Sequence, residues 1–167
     1  MERQEILIHR FKNIKLCVGG IVVLNNKVLF VRQTYGNLKN KWTIPWGYAF
    51  NPEVKEVENP DEAVVREIRE ESGIESEVIG LIGVQNYVEG KERQLHFLYL
   101  CEYIEGELKP DFKETDDAKF FSLEELEGIY EECDRYCFWI VRRVLENSYH
   151  ILKLSRENPA TDRVGFY

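Results

Sequence analysis

The stretch ENPDEAVVREIREESGI, residues 58–74, carries the marks of a helix with a defined start and stop. Asn59 is a residue type favoured at an N-cap, and Pro60 suits the first helical position, where its missing N–H would have had no partner anyway. Gly73 supplies the C-terminal stop near Ser72. At about 100° per residue, Val64, Val65, Ile68 and Ser72 gather on one side. Glu67, Glu70 and Glu71 fall on a neighbouring side, with small Ala63 between. Their i, i+3, i+4 spacing brings three carboxylates within a few ångströms of one another. Arg66 and Arg69 are expected to project away from them.

Like charges so close repel. A pair about 5 Å apart costs roughly 1 kcal/mol in water and about 3 kcal/mol at an effective dielectric of 20. Helix propensity does not explain the choice, because Gln or Lys would serve as well. A hard divalent cation removes the conflict, since Mg²⁺ prefers carboxylate oxygens and keeps waters that a phosphate can displace. On the helix alone two readings stand: a solvated acidic face, which is what helical charge runs usually are, and a cation site.

Outward from this helix, residues 17–24 and 27–33 are aliphatic and β-branched strand candidates, joined at Asn25-Asn26, a pair that tolerates the positive φ of a tight hairpin. Residues 34–41 read as a loop, and Trp42 to Trp46 as a short extended piece around Pro45. Downstream, 76–88 and 92–104 are longer strand candidates with Glu89-Gly90-Lys91 as their turn. Residues 105–117 form a polar, acidic loop before a short strand at 118–121. Ser122-Leu-Glu-Glu opens a small helix with a capping-box pattern. A C-terminal helix is expected over 133–154, with Cys137, Ile140, Val141, Val144, Leu145 and Leu152 as its buried stripe. Trp139 lies nearly opposite that stripe, either as a partly exposed residue or in a subunit interface, so a homodimer is a candidate assembly. The order of elements predicts a mixed α/β (α+β) domain. No repeat or linker divides residues 1–167, with 1–16 as an extra N-terminal segment and 155–167 as a polar, loose tail.

Composition narrows the function classes. With 44% hydrophobic residues the chain can build a core, and a net charge of -8 with pI about 5.1 argues against extended nucleic acid as a partner. The four cysteines, Cys17, Cys101, Cys133 and Cys137, form no zinc-like cluster and read as ordinary buried thiols. The residues MERQEILIHRFKNIK have no apolar core of a leader, and no apolar run approaches a membrane span. A cytoplasmic protein with no membrane partner is expected.

Arg66-Glu67-Ile68-Arg69-Glu70-Glu71-Ser72-Gly73-Ile74 resembles the core of the Nudix box, R-E-U-x-E-E-x-G-U with U apolar, and Glu58, eight residues before Arg66, matches its earlier glutamate. At ordinary residue frequencies this core should arise by chance in such a chain on the order of once in 10⁵. The resemblance covers roughly residues 17–126 and includes a W-x-x-P-x-G approach at Trp42, Pro45 and Gly47. One departure stands out. The family glycine six residues before the first glutamate is Pro52 here; the equivalent is Gly47, eleven before Glu58, which implies about five inserted residues, and Trp46-Gly47 replaces the usual glycine pair.

The resemblance implies an α/β/α sandwich with a central mixed sheet flanked by helices, and Mg²⁺-dependent hydrolysis (Mn²⁺ substituting) of a diphosphate linkage in a nucleoside diphosphate joined to another group. It implies that Glu70 and Glu71 bind metal, with Glu67 as a further ligand or a base and the Gly47 carbonyl completing the site. Arg66 and Glu58 match a supporting ion pair, for which an ordinary helix-terminus salt bridge is the plainer reading. A later carboxylate is the other source of a base, from Glu114, Asp116 or Asp117, with Asp117 taken as the catalytic candidate.

Tyr48 and Phe50 can stack on a base or simply pack the loop. Arg32, with Lys39, Lys41 and Arg93, can meet phosphates or merely sit at the surface. His96 reads as a hydrogen-bonded structural histidine ahead of a catalytic one. The competing function is a non-catalytic module of the same fold that binds a nucleotide or a partner, suggested by the altered 48–57 loop.

Overall fold

A computed structural model describes residues 14–49, 58–89 and 92–153. The expected Phe50 site, most of the inserted loop, the Gly90-Lys91 turn and the tail lie outside the described residues. Strands β1 (Ile14–Leu24) and β2 (Lys27–Gln33) form the hairpin expected at Asn25-Asn26, where φ is 50° and 59°. Two short strands follow, β3 (Trp42–Thr43) and β4 (Trp46–Tyr48). Helix α1 (Pro60–Ser72) leads into β5 (Ile74–Glu89) and β6 (Glu92–Gly106), an antiparallel pair in which β5 is longer at both ends than the sequence suggests and β6 at its C-terminal end. Strand β7 (Thr115–Phe121), helix α2 (Leu123–Gly128), helix α3 (Arg135–Leu145) and strand β8 (Leu152–Lys153) complete the described order.

The strands make one mixed sheet, ordered β3-β2-β1-β6-β5-β8, with β4 also on β1 and β7 also on β2. The β1–β6 pair is parallel, in register from Ile14 opposite Arg93 to Val23 opposite Glu102. Such pairing needs a crossover, which carries α1 across one face. Alternation along the strands then sends side chains to two cores. Val18, Val22, Leu29 and Tyr99 pack against Val64 and Ile68 of α1. On the opposite face Ile21, Phe30, Leu98 and Leu100 meet Ile140, Val141 and Val144 of α3. Each fully buried aliphatic side chain contributes about 1.5–3 kcal/mol relative to exposure. The expected sandwich, helices on both faces of a mixed sheet, is the observed fold.

Helix α1 approaches β1 closely because Gly20 has no side chain; a Cβ there would lie 2.8 Å from Ile68 Cγ1. Its start is fixed by Pro60 and by Glu62, whose Oε2 accepts from the Asn59 N–H at 2.8 Å. Its end is fixed by Gly73, at φ +77°, with its N–H bonded to the Arg69 carbonyl at 2.8 Å.

The C-terminal helix differs from expectation. It stops at Leu145 rather than near 154, because Asn147 takes a left-handed φ of 53° and the chain turns back. Leu152, expected in the buried stripe, is 55% exposed on β8, which pairs with Gly80 and Leu81 of β5. The helical period continues through Ile151 and Leu152 only by coincidence of spacing. Strand β7 begins at Thr115, three residues before the sequence reading, so Asp117 lies in a strand and not a loop.

Candidate active site

Burial divides the three glutamates of α1. Glu67 and Glu71, four residues apart, are 8% and 2% exposed, while the Glu70 side chain is half exposed. Period 3.6 puts Glu67 and Glu71 on the seam beside Val64 and Ile68, so the acidic side is only partly a solvent face. Glu71 Oε2 accepts from the Trp46 N–H at 3.0 Å and Oε1 from Gln33 Nε2 at 3.2 Å. Burial pushes its pKa well above the ordinary carboxylate range, against these donors and with help from the charges of Glu67 and Glu114. Burial likewise pushes Glu67 up to about 7, although the Arg66 guanidinium pulls the other way.

Arg66 does not project away from the acids as the sequence suggested. Its Nε and Nη2 reach Glu58 at 3.0–3.1 Å, Nη1 reaches Glu67 at 2.7 Å and Glu70 at 3.1 Å, and Nη2 also reaches the Tyr48 carbonyl at 3.2 Å. Burial disfavours the guanidinium charge, but the bonds it donates to Glu58 and Glu67 hold its pKa above the ordinary value. A planar, five-donor group can bridge three carboxylates at once, which a helical wheel does not reveal. Arg66 therefore supplies part of the counter-charge that the sequence assigned to a cation. Among the described residues no three acidic, histidine or cysteine side chains already converge as a metal cage. Arg69 does point outward, 4.0 Å from Glu75.

The residues nonetheless fit a hard divalent cation. Two buried carboxylates stand one helical turn apart, and burial above all raises the proton affinity of both. Gly47 cradles Glu67: a Cβ there would fall inside its carboxylate, so only glycine lets the β4 backbone come this close. Oxygen donors of this kind, with an exposed third one at Glu70, suit Mg²⁺ or Mn²⁺.

The later carboxylates are sorted by strand alternation. Asp117 lies 3.5 Å from Lys119, which covers the Trp42 ring on the α3 face of the sheet. Asp116 is held by Arg32 Nε at 2.7 Å. It is Glu114 whose charge is felt by Glu67 and Glu71, and its Oε2 accepts from the Tyr35 hydroxyl at 3.0 Å. The loop that presents it is tied by Asp111, whose Oδ1 accepts from the N–H groups of Lys113, Glu114 and Thr115 at 2.9–3.0 Å. Thr115 then anchors β7 to the helix through the Glu71 carbonyl at 2.7 Å. Of the later carboxylates it is thus Glu114, and not Asp117, that lies towards the helix glutamates, and Gln33, the neighbour of Arg32, that bonds to Glu71. Period 2 along β2 sends Leu29, Val31 and Gln33 towards α1 and Arg32 to the other face. That period is legible in the sequence; attention to charge alone passes over it.

Beside the acids opens a cavity of about 460 Å³. Gln33, Trp46, Gly47 and Tyr48 belong both to its wall and to the surroundings of the glutamates. Tyr87 and Gln85 of β5, Gln94 and His96 of β6 and Tyr136 of α3 line the far side. His96 Nε2 pairs with Gln94 Oε1 at 2.8 Å, and burial lowers its pKa, so the ring is neutral near pH 7. The Trp46 indole meets the His96 ring edge-on at 5.0 Å and the Tyr136 ring at 6.4 Å. Of the expected substrate contacts, Tyr48 lines this cavity and Arg32 does not. Gln85, Tyr87 and Tyr136 escaped the sequence reading, because residues of two distant elements, β5 and α3, meet here only through the tertiary fold. All four cysteines are free and buried. Trp139 is 52% exposed, with the Arg143 guanidinium 5.3 Å from its ring centre. Among the described residues no helix is long and apolar enough to cross a membrane.

Known proteins resemble this chain in sequence and in fold. An ADP-ribose pyrophosphatase of Methanocaldococcus jannaschii is 32% identical over 113 residues, 66% of this chain and 63% of that protein. An 8-oxo-dGDP phosphatase of Danio rerio is 34% identical over 109 residues, 64% of this chain and 31% of that one. The chain thus spans less than two thirds of the length of either relative. The crystal structure of a NUDIX hydrolase from Nitrosomonas europaea shares the fold, with TM-score 0.68 at 24% identity over 82% of this chain and 73% of that one. The family model described as the NUDIX domain matches residues 15–138, from the first central strand to the start of α3. That match takes in most of the chain and the whole glutamate helix, and the chain belongs to the NUDIX domain family.

Proposed function

We propose that this chain is a divalent-cation-dependent hydrolase that cuts the diphosphate linkage of a nucleoside diphosphate joined to another group. The observation that carries the reading is the pair of buried, proton-hungry carboxylates, Glu67 against Gly47 and Glu71 on the Trp46 N–H, beside the aromatic cavity whose wall includes Trp46 and Gly47. The activities named for the two relatives, on ADP-ribose and on 8-oxo-dGDP, support it, since both compounds contain a diphosphate.

Glu67, Glu70 and Glu71, with the backbone of Gly47, would hold the cation. When bound it neutralises the diphosphate and lowers the pKa of water. Arg66, anchored by Glu58, holds Glu67 and Glu70 in place and would release them to a cation that replaced it as counter-charge. Glu114, exposed and oriented by Tyr35, accepts the proton released by the attacking water. The cavity binds the nucleoside and so fixes the diphosphate against the glutamates. Gln33 and the Trp46 N–H keep Glu71 aimed during the reaction.

The test is incubation with Mg²⁺ and a panel of nucleotide sugars, ADP-ribose, dinucleoside polyphosphates and nucleoside triphosphates, with products identified by mass. Cleavage between two phosphorus atoms, abolished by Glu71→Gln, is the expected result. Absence of turnover across the panel by folded protein, with Mn²⁺ also supplied, would contradict it.

A further inference from the structure

Strand β5 lies towards the end of the sheet, and little of its outer edge is covered. Among the described residues only β8 pairs there, at Gly80 and Leu81. From Gly83 to Val88 the strand pairs with β6 on its inner side without a register shift. Outward, among the described residues, its N–H and C=O groups meet no strand, which makes this stretch a template for another one. Natural edges are blunted by charge, proline or a bulge. The run Gly83-Val84-Gln85-Asn86-Tyr87-Val88 has none of these, in a chain of which 31% is charged. Val84 and Val88 are 54% and 56% exposed, and Tyr87 is exposed as well.

Alternation sorts this run onto two faces. Val84 lies opposite Phe97, which packs in the α1 core, so Val84, Asn86 and Val88 share the α1 face. Gln85 lies opposite His96 and Tyr87 opposite Gln94, and all four line the cavity on the other face. A strand that pairs with its own copy about a twofold axis normal to the sheet sets residues of one face against each other. The axis must then pass through a residue, not between two. With the axis at Asn86, Val84 meets Val88 of the second copy, Val88 meets Val84, and Gln85 meets Tyr87. Both exposed valines are covered by each other. With the axis at Gln85 instead, Val84 would meet the amide of Asn86, so the first register is the favoured one.

We propose that residues 83–88 of β5 are an interface at which two copies of this chain join edge to edge, as one continuous antiparallel sheet centred on Asn86. The backbone ladder supplies the pairing, and the two Val84–Val88 contacts fix its register. The same pairing sets Tyr87 beside Gln85 of the second copy, so each copy braces the β5 wall of the other's cavity. Assembly of this kind is independent of what the cavity binds or cleaves.

Sedimentation of the full chain at tens of micromolar is expected to show a species of twice 19.8 kDa. Val84→Lys combined with Val88→Lys puts like charges opposite each other across the axis and is expected to leave a monomer. Both valines are exposed in the single copy, so the fold is retained, which circular dichroism checks. Val84→Lys combined with Val88→Glu puts opposite charges at the same two contacts and is expected to restore the dimer. In the first register Asn86 faces its own copy at a Cα separation of about 4.5–5.5 Å, which a disulfide can span. Asn86→Cys is therefore expected to cross-link under mild oxidation, and the native cysteines are all buried. A monomer throughout this concentration range would overturn the proposal, whether the edge is left bare or covered by another part of the chain. So would a dimer that survives the Lys pair, which would move the interface to another face such as that of Trp139. A Lys–Glu pair that stays monomeric, or an Asn86→Cys protein that does not cross-link, would overturn it equally.

Discussion

At the scale of single residues, burial sets the chemistry. Glu71 is the most enclosed of the acids, and its Gln variant keeps the shape while removing the charge that a cation needs. Glu71→Gln is therefore expected to lower kcat/KM by about 10²-fold or more, with Tm unchanged or raised, because a buried charge is lost. Kinetics and thermal unfolding on one preparation check both halves. Glu114→Gln should cost about 10²-fold in kcat while Asp117→Asn costs less than about threefold. The reverse order would return the proton-accepting role to the strand residue that sequence alone suggested. Glu67, Glu70, Glu71, Arg66 and Glu58 were all legible as a motif. What was not legible was where Arg66 points, since a wheel gives direction from the axis but not the reach of a long, branched donor. Nor did charge counting reveal Gln33, a neutral residue whose value comes from facing Glu71 across the sheet.

At the scale of elements, helix α1 is a rigid mount whose two ends and one face are each fixed by different residues. Ile68 is fully buried against β1, and Ile68→Ala should cost about 2–5 kcal/mol in urea unfolding. Gly73→Ala forces a side chain into the left-handed region and brings its Cβ within 2.7 Å of the Glu107 carbonyl, so a loss of more than about 1 kcal/mol is expected. Both substitutions should lower activity only as far as they unfold the protein, a distinction that circular dichroism beside the assay makes plain. The helix start and stop, the β1–β2 turn and the α2 cap were read correctly because short-range rules govern them. The end of α3 was misread for the opposite reason. Apolar spacing continues past Leu145, yet Asn147 and the open edge of β5 draw the chain into β8. Competition for a strand edge is a tertiary effect and leaves no local mark.

At the scale of the whole molecule, the sheet gathers parts that are far apart in the chain into one site and links its stability to cations and to pH. Glu67 has a folded pKa of about 7, above its unfolded value near 4.3. The protonated form thus contributes stability that is fully present below the unfolded pKa and is lost as pH rises through about 7. The metal-free protein should lose stability over that window on account of this group. A divalent cation needs the ionised form, so its stabilising effect should grow over the same window. Thermal unfolding from pH 5 to 8, with Mg²⁺ against chelator, reads the difference directly. A Mg²⁺-induced rise in Tm that is the same at pH 5 and pH 8 would contradict the coupling. The mixed α/β class followed from the order of strands and helices, and the sandwich from the family resemblance. The cavity did not, because its wall is assembled from β1, β2, β4, β5, β6 and α3 through pairings that no single stretch encodes.

The central claim is that Glu67, Glu70 and Glu71 together hold a divalent cation, and crystals grown or soaked in Mn²⁺ with data collected for anomalous scattering test it most directly. An anomalous peak within about 2.0–2.3 Å of carboxylate oxygens of this set, with Arg66 withdrawn from Glu67 or Glu70, is the result expected. Crystals rich in Mn²⁺ that show no peak on this helix, with Arg66 still bridging Glu58, Glu67 and Glu70, would contradict it.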